Sequence, residues 1–560
     1  MKRRVPRPGP AGGEHPGAQG SVLLLLLACL LLLAGCGRDG SKGNQAVTRP
    51  RRGGVLRVLS EPPHRLDPVA INEVYESVVL RQIYQGLISL DPGLRLTPCL
   101  ATSWTVSPDG LLYTFRLRGG VRFHDGSRFS ASDVVFSLHR ALSPNRAGGC
   151  MAESYLMHIR GAGDYRNGRK PAIDGIRAPD DQTLTIELEH PLSIFLKVLA
   201  MDQTAVLPRS VFEGKGSDAV ESHPIGTGPF RFERREPEGG VVVARFPEYW
   251  GSPSLLDTLI FRSLPREGVI NEAQVLAAGK VDFASLSAGV SGTARELGLQ
   301  VYRSPELSFA FLGMRLDRPP MNIPQVRRAI LLAIEREGLQ AADPEGVTPV
   351  LGLLPPGLPN REPIDQMPRP SPDDARRLLA EAGHPQGQGL PTITIGLNYG
   401  GPSRVVEDQI VRNLEAVGLK IRIQRMSWGE LSGRVTSGSL QAFMMSWVAD
   451  LPDPDAFLYP LFHSRGESNL FAYASAEVDS LLDVGHVLSS GSQRTQLYQR
   501  LQEVILRDAP MVPLYNSSIA YAWRPEVHGV ELGPAGYSLL PFDQIYVDPP
   551  SMALKPGSEP

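Results

Sequence analysis

Three carboxylates, Asp450, Asp453 and Asp455, stand in one short stretch just downstream of Met444, Met445 and Trp447. Two facing carboxyl groups can cleave a glycosidic bond by acid–base chemistry, and clustered carboxylate oxygens can hold calcium. Against both, Pro452 and Pro454 interrupt the run, and the Gly and the bidentate Glu that complete a calcium loop are missing. The competing reading of Asp453 and Asp455 is a turn whose aspartates cap a helix. The sequence has no G-x-S-x-G nucleophile elbow, no H-E-x-x-H metal helix and no G-x-x-x-x-G-K-[ST] phosphate loop. His124, His139, His158, His190 and His223 are scattered rather than spaced as metal ligands, and no C-x-x-C pair exists. No metal or cofactor is expected.

Size and charge narrow the classes further. The 57 basic and 59 acidic side chains nearly cancel, for a net charge of −2. A nucleic-acid surface would need a basic excess or stripe, and neither stands out. Most of the bases are Arg, a residue that grips carboxylates bidentately, although codon usage in a GC-rich genome gives the same bias. The 560 residues suffice for about three domains or two large lobes. Apolar residues at 42% and charged residues at 21% are ordinary globular usage.

A single apolar run approaches membrane length, the thirteen residues 22–34. As a helix it would reach about 20 Å, short of the ~30 Å hydrocarbon core. It follows Lys2, Arg3, Arg4 and Arg7, the pattern of a signal peptide, with a short membrane anchor as the alternative. The run ends in Leu33-Ala34-Gly35-Cys36, which resembles a bacterial lipobox. Residues 1–35 are therefore expected to be a lipoprotein signal peptide, with Cys36 lipidated as the first mature residue. Residues 36–52, rich in Gly, Ser, Lys, Asn and Arg, read as a flexible tether. The mature chain would then lie outside the cytoplasm, held at a membrane through its lipid. Of the remaining cysteines, Cys99 and Cys150 either form a disulfide, which an oxidising compartment permits, or stay as buried thiols.

The elements that must position these groups alternate along the chain. Strand patterns occur at 53–60, 104–106, 112–117, 183–188, 240–246, 259–262, 301–303 and 309–312. Ser107-Pro108-Asp109-Gly110 is a turn signal between two of them, and Ser130 or Ser132 can cap a helix running to Ala141. Helices are predicted over 324–335, 372–383, 405–417 and 497–507, and strands over 393–398, 420–423 and 511–515. The strand–helix–strand succession at 393–423 implies an α/β segment with a parallel or mixed sheet. Residues 344–372, rich in Pro and Gly, read as an extended loop.

Nine ordered segments carry a resemblance. They are residues 53–68, 83–91, 98–142, 224–230, 247–260, 326–335, 375–383, 444–457 and 509–514. The DGLLYTF and FHDG stretches within 98–142, together with GTGPF at 226–230, are its most specific parts. The chain resembles the bacterial extracellular solute-binding proteins of family 5, receptors that feed oligopeptides, dipeptides or nickel chelates to ABC importers. The resemblance implies an α/β, periplasmic-binding-protein-like fold of type II with two lobes and a ligand cleft between them. Lobe I would comprise 53–267 plus 518–548, with an inserted subdomain at about 90–224, and lobe II 268–517. The lobes close on ligand by hinge motion, and a peptide ligand lies extended, its backbone held by strand-like hydrogen bonds.

On this resemblance the protein is a monomeric binding subunit and not an enzyme. It would deliver a peptide or peptide-like solute to permease and ATPase subunits carried by other chains, without contact to nucleic acid. A nickel-chelate receptor and an extracytoplasmic hydrolase are the alternatives. Asp450 matches the Asp that pairs with a peptide's α-amino group in relatives, three residues after Trp447. Trp447, Trp428 and Met445 match positions near the cleft, and Ser60, Glu61, Tyr113 and Thr227 are expected to face it. Relatives that clamp a dipeptide carboxylate carry an Arg in the loop after the strand at 393–398. Here that loop reads Tyr399-Gly400-Gly401-Pro402-Ser403-Arg404, so Arg404 stands displaced toward the next helix, with Arg315 as another carboxylate contact.

Overall fold

The computed structural model describes residues 51–548 apart from 72, 146–149, 264–270, 360, 362–366, 450 and 489–490. Residues 1–50, which hold the expected signal peptide, Cys36 and all but the last two residues of the expected tether, lie outside the described residues, as does Asp450.

Strand β1 (Val55–Leu59) buries Leu56 and Val58 completely and leaves the alternate residues half-buried, the period-two pattern of a strand. The helix Val74–Ile83 follows, then a hairpin of β2 (Ile88–Leu90) and β3 (Leu96–Pro98). A separate four-stranded antiparallel sheet comes next. Its strands β4 (Ala101–Val106), β5 (Leu112–Leu117), β6 (Ile176–Asp180) and β7 (Thr183–Glu187) lie in the order β4-β5-β7-β6. The turn between β4 and β5 is the predicted one, with Gly110 at φ 73° and Asp109 accepting from the Leu111 amide. The helix Ala131–Ala141 begins with a capping box formed by Ser130 and Asp133. Phe115, Leu138, Leu184 and Phe195 fill the core of this subdomain. Cys99 and Cys150 are buried thiols in the same core and no disulfide joins them. Burial pushes the Cys99 thiol up to about 12.

The main sheet holds the two lobes together. Strands β8 (Phe230–Arg235), β9 (Val241–Arg245) and β10 (Thr258–Arg262) run antiparallel, and β10 pairs in parallel with β1. On the other side of β1 lies β11 (Phe283–Leu286), also parallel to it. Only Glu306 and Leu307 separate β12 (Gln300–Pro305) from β13 (Ser308–Met314), whose seven residues are all buried. After β14 (Val347–Pro349), β15 (Ile393–Asn398) and β16 (Ile421–Met426) pair in parallel over their full length. The intervening helix Arg404–Ala416 completes the predicted strand–helix–strand unit. Strand β17 (Ala442–Val448) pairs with β13 at every residue.

The last strand of the main sheet, β18 (Met511–Trp523), runs well past the predicted end at 515. Its first half pairs with β13 and its second half with β11 and β12. One continuous strand therefore passes from one lobe's sheet into the other's, and Glu306–Leu307 makes the second crossing beside it. The lobe boundary expected at 518 falls within β18, and the one expected at 268 precedes β11. Strand β11 buries Ala284 and Leu286 against Ala520 and Ala522, and Val301 of β12 packs against the same cluster. Sequence patterning marks a strand but does not name its partner.

Candidate functional site

Lobe II presents a cavity of about 380 Å³, within the ~300–1,000 Å³ usual for ligand pockets. Its floor is β13 and β17, contributing Phe311, Met445 and Ser446, and its rim holds Trp428, Tyr515 and Asp343. Strand β15 pairs with β17 only at Ala442 and Phe443. From Met444 to Val448, β17 is paired with β13 alone among the described strands. Its second edge therefore carries unspent backbone donors and acceptors beside the cavity, which is where an extended chain can add as a further strand.

Trp428 opens the helix Trp428–Thr436, whose N-terminus is capped by Ser427. Its side chain is 56% exposed and forms an apolar wall of the cavity. Met445 stands on the floor. Trp447 is half-buried, and its Nε1–H donates to the Ala456 carbonyl at 3.2 Å, which fixes the indole against the helix Pro454–Phe462. Burial pushes the Tyr515 phenol up to about 12, with the Asp343 charge adding to it.

Other expected positions lie elsewhere. Tyr113 is buried in the subdomain core, its ring against Phe195 and its hydroxyl donating to the Leu192 carbonyl at 3.4 Å. Thr227 is fully buried and donates to Gln85 Oε1, which also accepts from Trp250 Nε1. Both side chains are buried. The Arg404 side chain is 72% exposed and pairs with Glu407, which also pairs with Arg425; Arg404 is off the cavity wall. Arg315 is committed to Asp317 at 2.8 Å. Ser60 closes β1, with its amide on the Arg262 carbonyl and its hydroxyl on the carbonyl of exposed Glu61.

The sequence signatures turn out to hold one another. His124 of FHDG accepts the Gly226 amide at Nδ1 and approaches the Gly228 carbonyl with Nε2 at 3.1 Å. The two glycines are required: a Cβ at either would overlap backbone at the end of the helix Val74–Ile83. Burial holds the His124 imidazole down at about 4, so it is neutral and donates from Nε2.

Asp453 is the N-cap of the helix Pro454–Phe462, as the capping reading anticipated, but its role reaches further. Its carboxylate binds Lys197 of the inserted subdomain at 2.6 Å and Arg494 of lobe II at 2.7 Å. Burial pushes this carboxyl up, yet the two cations outweigh burial and leave it below the usual range. Asp455 accepts from Tyr498 at 2.8 Å and pairs with His486 at 2.8 Å. Leu451 and Ala456 sit in the subdomain's core cluster, so this region joins the inserted subdomain to lobe II. Sequence reasoning missed it because Lys197 and Arg494 lie hundreds of residues apart and carry no motif. Asp343 was missed for the same reason.

A two-lobed α/β frame is the architecture of the extracellular solute-binding proteins. The family model "Bacterial extracellular solute-binding proteins, family 5 Middle" matches residues 95–469, and the chain belongs to this family. It is 30% identical over 488 residues to the glutathione-binding protein GsiB of Salmonella choleraesuis (strain SC-B67), covering 84% of this chain and 91% of that one. It is 30% identical over 515 residues to the probable di/tripeptide-binding protein 5 of Pseudomonas aeruginosa (strain UCBPP-PA14), covering 88% and 95%. Among solved structures, the periplasmic binding protein DppA of Helicobacter pylori in complex with the peptide STSA superposes with a TM-score of 0.71 at 26% identity, covering 89% of this chain and 99% of that one. Among the described residues, no helix is long and apolar enough to cross a membrane.

Proposed function

We propose that this protein is the substrate-binding subunit of an ABC importer, that it binds short peptides or peptide-like solutes between its lobes, and that it catalyses nothing. The open edge of β17 beside the Trp428–Met445 cavity is the observation that carries this reading. A peptide added along Met444–Val448 satisfies its backbone groups without regard to its side chains. Relatives named for glutathione and for di- and tripeptides fit a ligand of that size. Asp450, three residues past Trp447, is the carboxylate assigned to the ligand's ammonium group, since a desolvated ammonium needs an anionic partner. Delivery falls to permease and ATPase subunits on other chains, and Cys36 carries the lipid that keeps the receptor at the membrane.

Titration calorimetry with short alanine peptides of increasing length tests the reading. Saturable binding of intact peptide, with no product by mass spectrometry, is expected. Hydrolysis of the peptide would refute the binding role, and absence of binding to every peptide would refute the ligand class. Asp450→Ala is expected to weaken binding about tenfold, which is ~1.4 kcal/mol.

A further inference from the structure

The lobe II cavity is chemically one-sided. Asp343 is the sole charged side chain among its described lining residues. It follows the helix Arg336–Ala342 and spends one oxygen, Oδ1, on the Gly346 amide at 2.8 Å. Among the described residues no Lys, Arg or His lies within ion-pair distance of it. Its neighbour Glu345 is different, lying against both Arg303 at 3.3 Å and Arg295 at 3.7 Å. The loop thus holds two acids, of which one is neutralised by protein cations and the other faces a cavity without a cation. Arg404, next to the lining residue Ser403, is exposed and paired with Glu407, so no positive group stands among the described lining residues to receive a carboxylate. Trp428 and Met445 supply a flat face and a polarizable thioether along which an aliphatic stem can pack.

We propose that this cavity is a subsite for a basic group of the ligand, a lysine- or arginine-like side chain whose stem lies along Trp428 and Met445 and whose cation meets Asp343. The inference rests on the peptide-binding reading above and adds a second positive charge to the one assigned to Asp450. It selects peptides carrying an amine or guanidine in one particular side chain and disfavours those with an acidic one there. Burying a cation against a carboxylate in a partly enclosed cavity strengthens the pairing over the same contact in bulk water. An acidic side chain in the same place would face Asp343 as a like charge.

The test takes the shortest alanine peptide that binds and substitutes lysine, norleucine or glutamate at each position in turn, with Kd measured by calorimetry. At one position lysine is expected to bind about tenfold more tightly than norleucine, and glutamate more weakly than either. Asp343→Asn keeps an oxygen for the Gly346 amide while removing the charge. It is expected to abolish the lysine preference at that position, and an unchanged urea midpoint shows that the variant is folded. If the parent peptide binds but no position prefers lysine, or if the preference survives Asp343→Asn, the subsite is refuted while the peptide reading stands. If no peptide binds, the peptide reading fails and the subsite falls with it.

Discussion

Replacing Asp453 by alanine should destabilise the protein far more than replacing its partner Lys197 by methionine. The Asp453 side chain is 5% exposed and faces Lys197, 19% exposed, and Arg494, 10% exposed. Removing the carboxylate leaves two cations side by side in a site with little water, and breaking a buried pair from one side costs about 3–5 kcal/mol. The lost N-cap on the Asp455 amide adds ~1 kcal/mol. Methionine in place of Lys197 leaves the Arg494–Asp453 pair intact and surrenders two charged hydrogen bonds, to Asp453 and to the Pro452 carbonyl, a loss of about 2–3 kcal/mol. The double variant should be less destabilised than the sum of the two by ~1–3 kcal/mol, because the orphaned Lys197 is gone. Urea unfolding at neutral pH, followed by tryptophan fluorescence, measures all three. If Asp453→Ala costs no more than Lys197→Met, or if the two effects add, the carboxylate does not neutralise both cations and the reasoning is wrong.

Further outcomes follow from single contacts. His124 has a depressed folded value, about 4 against 6.5, so between these the unfolded chain binds the extra proton and stability falls as pH drops through this window. The loss should approach ~3 kcal/mol below pH 4 and be absent in His124→Phe, which a series of denaturant midpoints from pH 7 to pH 4 will check. Gly226→Ala places a Cβ against the Ile83 carbonyl and should cost about 2 kcal/mol or more, read as a lowered urea midpoint. Trp428→Ala, at a 56% exposed position, should leave that midpoint unchanged and weaken peptide binding about tenfold in calorimetry. Tyr113→Phe removes one hydroxyl buried in the subdomain and should cost under ~1.5 kcal/mol, with peptide affinity unaltered.

Much of the architecture was legible in the residues. Alternation at 112–117, the Pro-Asp-Gly turn, the Ser130 cap and the 393–423 strand–helix–strand unit all depend on neighbours in sequence, and all formed as expected. The FHDG and GTGPF stretches marked the family, and their mutual contact through His124 explains why they occur together. Reading the site was harder. Trp428 and Met445 line the cavity, while Thr227 and Tyr113 are buried, and an aromatic or hydroxyl side chain serves a core and a cleft equally well.

The sequence alone determined most of the element types and the family, since propensity, turn chemistry and local motifs act over a few residues. It did not determine where one lobe ends, what Asp453 holds, or which acid is left without a cation. Those depend on contacts between segments far apart in the chain: β18 shared between two halves of one sheet, Lys197 and Arg494 meeting at one carboxylate, and Glu345 matched by arginines while Asp343 is not. Burial and charge pairing are properties of the folded surface, so only the tertiary structure decides them.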